Sequence, residues 1–249
     1  MDAEVIWVGL TASLLSGLAT GAGALPVLFT RRVSDRVLDV MLGFSAGVML
    51  AATAFSLIVP AIDLGGPFVA VFGIIIGALV LHLIDRFVPH FHPGLGAEGP
   101  ASRLSKVWLF VLAITIHNFP EGLAVGVSFG SGDVAAGLVI ATAIGLQNMP
   151  EGLAVALPLV REGYSRRKSL LYGTLTGLVE PLGGLLGIAL VSIFMPILPW
   201  GLAFAAGAML FVVSDEMIPE SHRKGFEREA TFGLIAGFVV MMLLDTMFA

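Results

Sequence analysis

The chain is 249 residues long, 57% of them hydrophobic and only 12% charged, with a formal net charge of −5. Its mean hydropathy of +0.98 is far above that of a soluble globular domain, which would bury too little of this apolar surface and aggregate. Composition therefore excludes a soluble enzyme or a basic nucleic-acid-binding protein and points to a multi-span protein whose partner is the lipid bilayer. The absence of cysteine removes disulfide staples and thiolate metal sites.

A spanning helix needs about 20 mostly apolar residues. On that rule the sequence predicts eight spans, at about 5–29, 37–62, 67–88, 106–129, 134–160, 168–194, 197–219 and 230–248. The start, Met1-Asp2-Ala3-Glu4, lacks the basic region of a signal peptide, so the first run is expected to be a retained span. The connector from Arg86 to Lys106 is rich in Pro, Gly and His and is expected to be an irregular loop. No polar stretch is long enough for a second domain, so residues 1–249 form one transmembrane unit.

All thirteen Lys and Arg residues fall in alternate connectors. Arg31, Arg32 and Arg36 separate spans one and two; Arg86, Arg103 and Lys106 separate three and four. Arg161, Arg166, Arg167 and Lys168 separate five and six; Arg223, Lys224 and Arg228 separate seven and eight. The positive-inside bias assigns these four loops to the cytoplasm and both termini to the outside.

The chain also repeats. Gly47, Met49 and Leu50 recur 160 positions later as Gly207, Met209 and Leu210, and Phe72, Gly73, Gly77 and Asp85 recur as Phe232, Gly233, Gly237 and Asp245. Halves of about 5–88 and 168–248 thus flank a central pair at about 106–160. With the loop assignment above, the halves enter the membrane from opposite sides, which makes them inverted repeats, a mark of secondary transporters. Small residues at four-residue spacing, such as Gly73 with Gly77, let helices approach closely in lipid.

A second repeat carries the chemistry. His117-Asn118-Phe119-Pro120-Glu121-Gly122 in span four returns thirty positions on as Gln147-Asn148-Met149-Pro150-Glu151-Gly152 in span five. Residues four apart share a helix face, so His117 stands over Glu121 and Gln147 over Glu151. Pro120 and Pro150 each remove a backbone donor, and such a break survives in a bilayer only against protein or water. Span six adds Glu180-Pro181 at mid-depth. No span interior holds a Lys or Arg to pair with Glu121, Glu151 or Glu180. Buried carboxylates must be paired, ligate metal or be protonated. His117, Asn118, Glu121, Gln147, Asn148, Glu151 and Glu180 form an oxygen-rich, sulfur-free set that suits zinc, iron(II) or manganese, with cadmium as a passenger. Seven side chains exceed one tetrahedral ion, so either two ions share bridging carboxylates or the ligands act in succession.

HNFPEG, a second xNxPEG and a Glu on the next helix resemble the ZIP (Zrt/Irt-like protein) family of divalent-metal transporters, in its bacterial branch whose fifth span carries Gln in place of His. The resemblance covers nearly the whole chain. It implies an all-α membrane fold of eight helices arranged 3+2+3, and a bacterial inner-membrane location. It further implies metal uptake into the cytoplasm by alternating access, with spans one, four, five and six moving against two, three, seven and eight. The family's binuclear site carries over onto His117, Glu121, Gln147 and Glu151 for one ion. Asn118, Asn148 and Glu180, sharing Glu121 and Glu151, would hold the other.

Asp63 and Asp245, near the outer ends of spans two and eight, are candidate entrance acids. Asp85, His90, His92, Asp215, Glu216 and His222 are candidate exit ligands. A passive metal channel would use the same residues. An intramembrane metal-dependent hydrolase would need a dedicated base, commonly in HExxH, and that motif is absent. Transport of an organic cation would call for an aromatic cage, and Phe119 is the only aromatic residue in either motif. The sequence leaves a homodimer open.

Overall fold

The structure, a computed structural model, describes residues 3–30, 33–92, 96–98, 100, 102 and 104–248; Arg31, Arg32 and Arg103 lie outside them. Helix α1 spans Ala3–Ala24 and tightens into a 3-10 turn at Leu25–Leu28. Helix α2 (Asp35–Ala51) begins at Ser34, whose hydroxyl accepts from the Val37 amide at 3.3 Å. It runs through a π-type turn at Ala52–Ile58 into α3 (Val59–Phe87). The whole stretch from Asp35 to Phe87 is 53 residues, about twice what one crossing needs. It is kinked at Gly66, whose φ of 78° only glycine adopts without strain, directly before Pro67.

Helices α4 (Lys106–Gly130) and α5 (Val134–Arg161) follow, then α6 (Arg166–Gly177) and α7 (Glu180–Ile193). Helix α8 (Leu198–Val212) passes through a second π-type turn, Val213–Met217, into the short α9 (Ile218–Ser221). Helix α10 (Glu227–Phe248) ends the fold. Among the described residues, seven continuous helical stretches are long and apolar enough to cross a membrane. The expected irregular loop after α3 differs in one respect. It holds a two-stranded antiparallel hairpin, β1 (His90–His92) with β2 (Gly96–Glu98).

The prolines also act differently from expectation. Helices α4 and α5 continue unbroken through Pro120 and Pro150. The real interruption precedes Pro181, where α6 stops at Gly177 and α7 restarts at Glu180. Packing in long helices satisfies the carbonyls a proline frees, so a proline alone does not decide where a membrane helix breaks.

Helix α1 packs mainly along α5 and α4 along α7, while α2 packs along α10 and α3 along α8. These pairs map onto each other under the sequence repeats, and the match extends to single contacts. A Cβ on Gly47 would collide with the carbonyl of Leu234, and one on Gly207 with that of Ile74, 160 positions away from the first pair. Gly122 meets the carbonyl of Glu180 as Gly152 meets that of Thr20. Gly17 and Gly177 face each other's carbonyls, so an approximate two-fold axis passes between them.

Among the described residues, the basic ones gather at one end. Arg161 reaches Asp35 at 3.6 Å and the carbonyl of Val33, Arg36 reaches Glu229 at 3.2 Å, and Lys224 reaches the buried Asp39 at 3.3 Å.

Candidate metal centre

Pattern and packing together bring the polar residues inward. The PEG glycines Gly122 and Gly152 let α7 and α1 lie against the very turns that carry Glu121 and Glu151. The seven side chains singled out in the sequence are all buried, none more than 2% exposed. They meet as pairs. Gln147 donates through Nε2 to Oε1 of Glu121 at 2.6 Å. Asn148 donates through Nδ2 to Oε1 of Glu180 at 2.5 Å and to the carbonyl of Ser16 at 2.8 Å.

Two serines complete the set. The Ser16 hydroxyl on α1 donates to Oε2 of Glu180 at 2.7 Å, and the Ser45 hydroxyl on α2 donates to Oε1 of Glu151 at 2.9 Å. Each of the three central carboxylates is therefore held by a neutral amide or hydroxyl donor. Neutral donors stabilise a carboxylate without cancelling its charge, so the region stays attractive to a cation.

Several buried atoms at the same place have no hydrogen-bond partner: Oε2 of Glu121, Oε1 of Gln147, Oδ1 of Asn148, Nδ1 of His117 and both amide atoms of Asn118. Most are lone-pair acceptors, the atoms a divalent cation needs. In this conformation, among the described residues, no three His, Asp or Glu side chains converge on one point. The ligand candidates are closed upon one another.

The expected exit and entrance residues separate into groups. Glu216, in the second π-type turn, does not stand at an end. It is buried and its Oε1 contacts Nε2 of His117, so it belongs to the central cluster. Asp85 is buried near the basic end of α3. Asp245 contacts the hydroxyl of Ser56 in the first π-type turn, whereas Asp63 is exposed and stands apart. Asp215 is half-buried. His222 is occupied as a helix cap, with Nδ1 beside the carbonyl of Ile218 at 2.9 Å and Nε2 beside Thr231 at 3.0 Å. His90 and His92 lie on β1, with side chains outside the described residues.

Ser16, Ser45 and the Glu216–His117 contact are not legible as site features in the sequence. The repeat offers one signal: Ser56 and Glu216 are 160 positions apart, as are Asp85 and Asp245, so each π-type turn brings one polar group into the matched halves.

Comparison with known proteins fits this geometry. A family model described as ZIP Zinc transporter matches residues 95–245. The chain is 49% identical over 247 residues to zinc transporter GufA of Myxococcus xanthus, covering 95% of this chain and 97% of that one. It is 49% identical over 238 residues to zinc transporter ZIPB of Bordetella bronchiseptica, covering 92% and 77%. Zinc transporter ZIP11 of Homo sapiens is 36% identical over 322 residues, covering 91% and 93%.

Proposed function

Because the chain belongs to the ZIP family of zinc transporters, we propose that it carries zinc through the bilayer along the buried carboxylates of α4, α5 and α7. It is a multi-pass membrane transporter and not an enzyme. The observation that carries the reading is the triad Glu121, Glu151 and Glu180, buried in membrane-spanning helices and bonded to neutral donors. The ion pairs of Arg36, Arg161, Arg223 and Lys224 are made with other acids, Asp35, Asp39, Glu220 and Glu229. A transported divalent cation supplies the missing charge.

Zinc is bound at about 2.0–2.2 Å by imidazole nitrogen and carboxylate oxygen. His117, Glu121, Gln147 and Glu151 form the first site, and the hydrogen bond from Gln147 to Glu121 gives way as the amide turns its unpartnered oxygen to the ion. Asn118, Asn148 and Glu180 form the second site with Glu121 and Glu151. It is the weaker, since two amides replace charged ligands and both oxygens of Glu180 are already bonded. Iron(II), manganese and cadmium suit the same oxygen-rich set.

The fold reading is eight crossings, with the 53-residue stretch counted as two about its kink, in a 3+2+3 inverted repeat. The basic end faces the cytoplasm, both termini face outside, and zinc moves inward by alternating access, entering by Asp245, passing Glu216 beside the central site and leaving by Asp85 and the β1 histidines. Matched glycine contacts on both sides of the Gly17–Gly177 axis support a carrier with two related states over a one-sided cleft. Zinc uptake into proteoliposomes, compared between wild type, Glu121→Ala and Glu151→Ala, tests the site. Undiminished uptake by both variants sinks it.

A further inference from the structure

The pairs α3/α8 and α4/α7 part at the end opposite the basic residues and leave a cavity of about 360 Å³. Its lining is apolar throughout and includes Gly73, Phe119, Leu123, Val127, Trp200 and Gly201. The counterpart position at the basic end carries larger side chains at two places. Thirty positions beyond Val127 stands Leu157, and 160 before Gly201 stands Met41. Leu157 is wholly buried, with Met41 packed against it beside Leu38 and Leu153. The repeated interface is thus packed by different side chains in its two copies, and at this copy Gly201 stands directly against Val127.

Protein interiors are close-packed, and an apolar cavity rejects water but takes up hydrocarbon; one of about 150 Å³ holds a benzene molecule. A cavity of 360 Å³ accommodates roughly twice that carbon, about a dozen methylenes. Leu186 and Leu190, also on its wall, are 43% and 41% exposed. The cavity therefore opens onto the lipid-facing surface and is continuous with it. Trp200 sits near the start of α8, where an indole suits the headgroup level.

We propose that this groove binds the acyl chain of one phospholipid, seated between the α3/α8 and α4/α7 pairs. The occupant is hydrocarbon because the surrounding solvent at that depth is hydrocarbon and the walls offer no polar atom. The site uses other side chains than the zinc ligands, and it lies along the seam between the two groups of spans that move against each other in the proposed transport cycle.

The test uses the full chain reconstituted with a phospholipid bearing a diazirine on its acyl chain. Irradiation should label peptides containing residues 119–127 and 186–204 in excess over the equally lipid-exposed faces of α3 and α10. The double variant Val127→Leu with Gly201→Met, which places the counterpart side chains on the groove wall, should lose that excess while unfolding in detergent at the wild-type temperature, which certifies its fold. Labelling spread evenly over all exposed helices in the wild type overturns the proposal, and that outcome needs no variant. An excess that survives in the folded double variant overturns it equally.

Discussion

At the basic end of the molecule Trp108, Tyr164 and Tyr172 stack edge to face with ring centroids 4.8, 5.9 and 6.2 Å apart, and Leu38, Met41, Leu153 and Leu157 cluster beside a cavity of about 270 Å³. At the other end the counterparts of Trp108 and Tyr172 are Leu138 and Ala12. There the α1–α5 seam opens into a cavity of about 480 Å³ that reaches Gly145 and Ser16, in addition to the groove beside Trp200. The backbones of the two ends follow one plan, held by matched glycine contacts. Side-chain volume separates them. Polar chemistry does too, since His117 meets Glu216 on one side while Asp245 meets a serine hydroxyl on the other. Symmetry of the chain path and asymmetry of the side chains are thus independent properties, and a transporter built from repeated halves can differ at its two ends without altering its fold.

Substitutions at paired positions probe that separation, and the largest effect belongs to the glycines. Gly122→Ala and Gly152→Ala each drive a methyl group into a backbone carbonyl and should cost about 3 kcal/mol or more, read as thermal unfolding in detergent. Similar losses at both positions are expected; tolerance of one would break the backbone symmetry. Next, Glu121→Ala and Glu151→Ala should each lower proteoliposome zinc uptake by at least about tenfold, since losing even a residue that merely supports a metal ligand has that effect.

The chemical asymmetry predicts unequal effects. Glu216→Gln removes the charged partner of His117 and should reduce uptake about tenfold, whereas Ser56→Ala deletes one hydroxyl contact to Asp245 and should reduce it by less than about fivefold. Equal effects would show that the two sides do the same work. The smallest change is Tyr164→Phe, which deletes the 2.6 Å bond from the Trp108 indole and should cost about 1 kcal/mol, measured by chemical denaturation. No change would mean that the rings pack the basic end by shape alone.

Much of the molecule is readable along the chain because hydrocarbon imposes simple rules. Helix ends at Lys106, Arg161 and Glu227 fall within a few residues of the limits read from hydropathy and loop charge. The seven central ligand candidates stand out because a carboxylate or amide inside an apolar run is too costly to persist there without a function. Where sequence and structure part, the missing information is spatial. Pro120 and Pro150 read as breaks along the chain, but flanking helices absorb them. Hydropathy sends Glu216 to the exit because it gives depth along one helix but not which neighbour that helix faces. Ser16 and Ser45 are ordinary small residues of membrane helices until α7 and α5 bring Glu180 and Glu151 against them.

Apolar length, charge alternation and the doubled PEG pattern determine that the chain crosses a membrane, that it is internally repeated and that acids lie at mid-depth, because each follows from transferring local groups from water into lipid. Tertiary structure alone decides which amide holds which carboxylate, where the helix truly parts, and where the interfaces between helix pairs leave cavities, because these depend on distances between helices far apart in sequence.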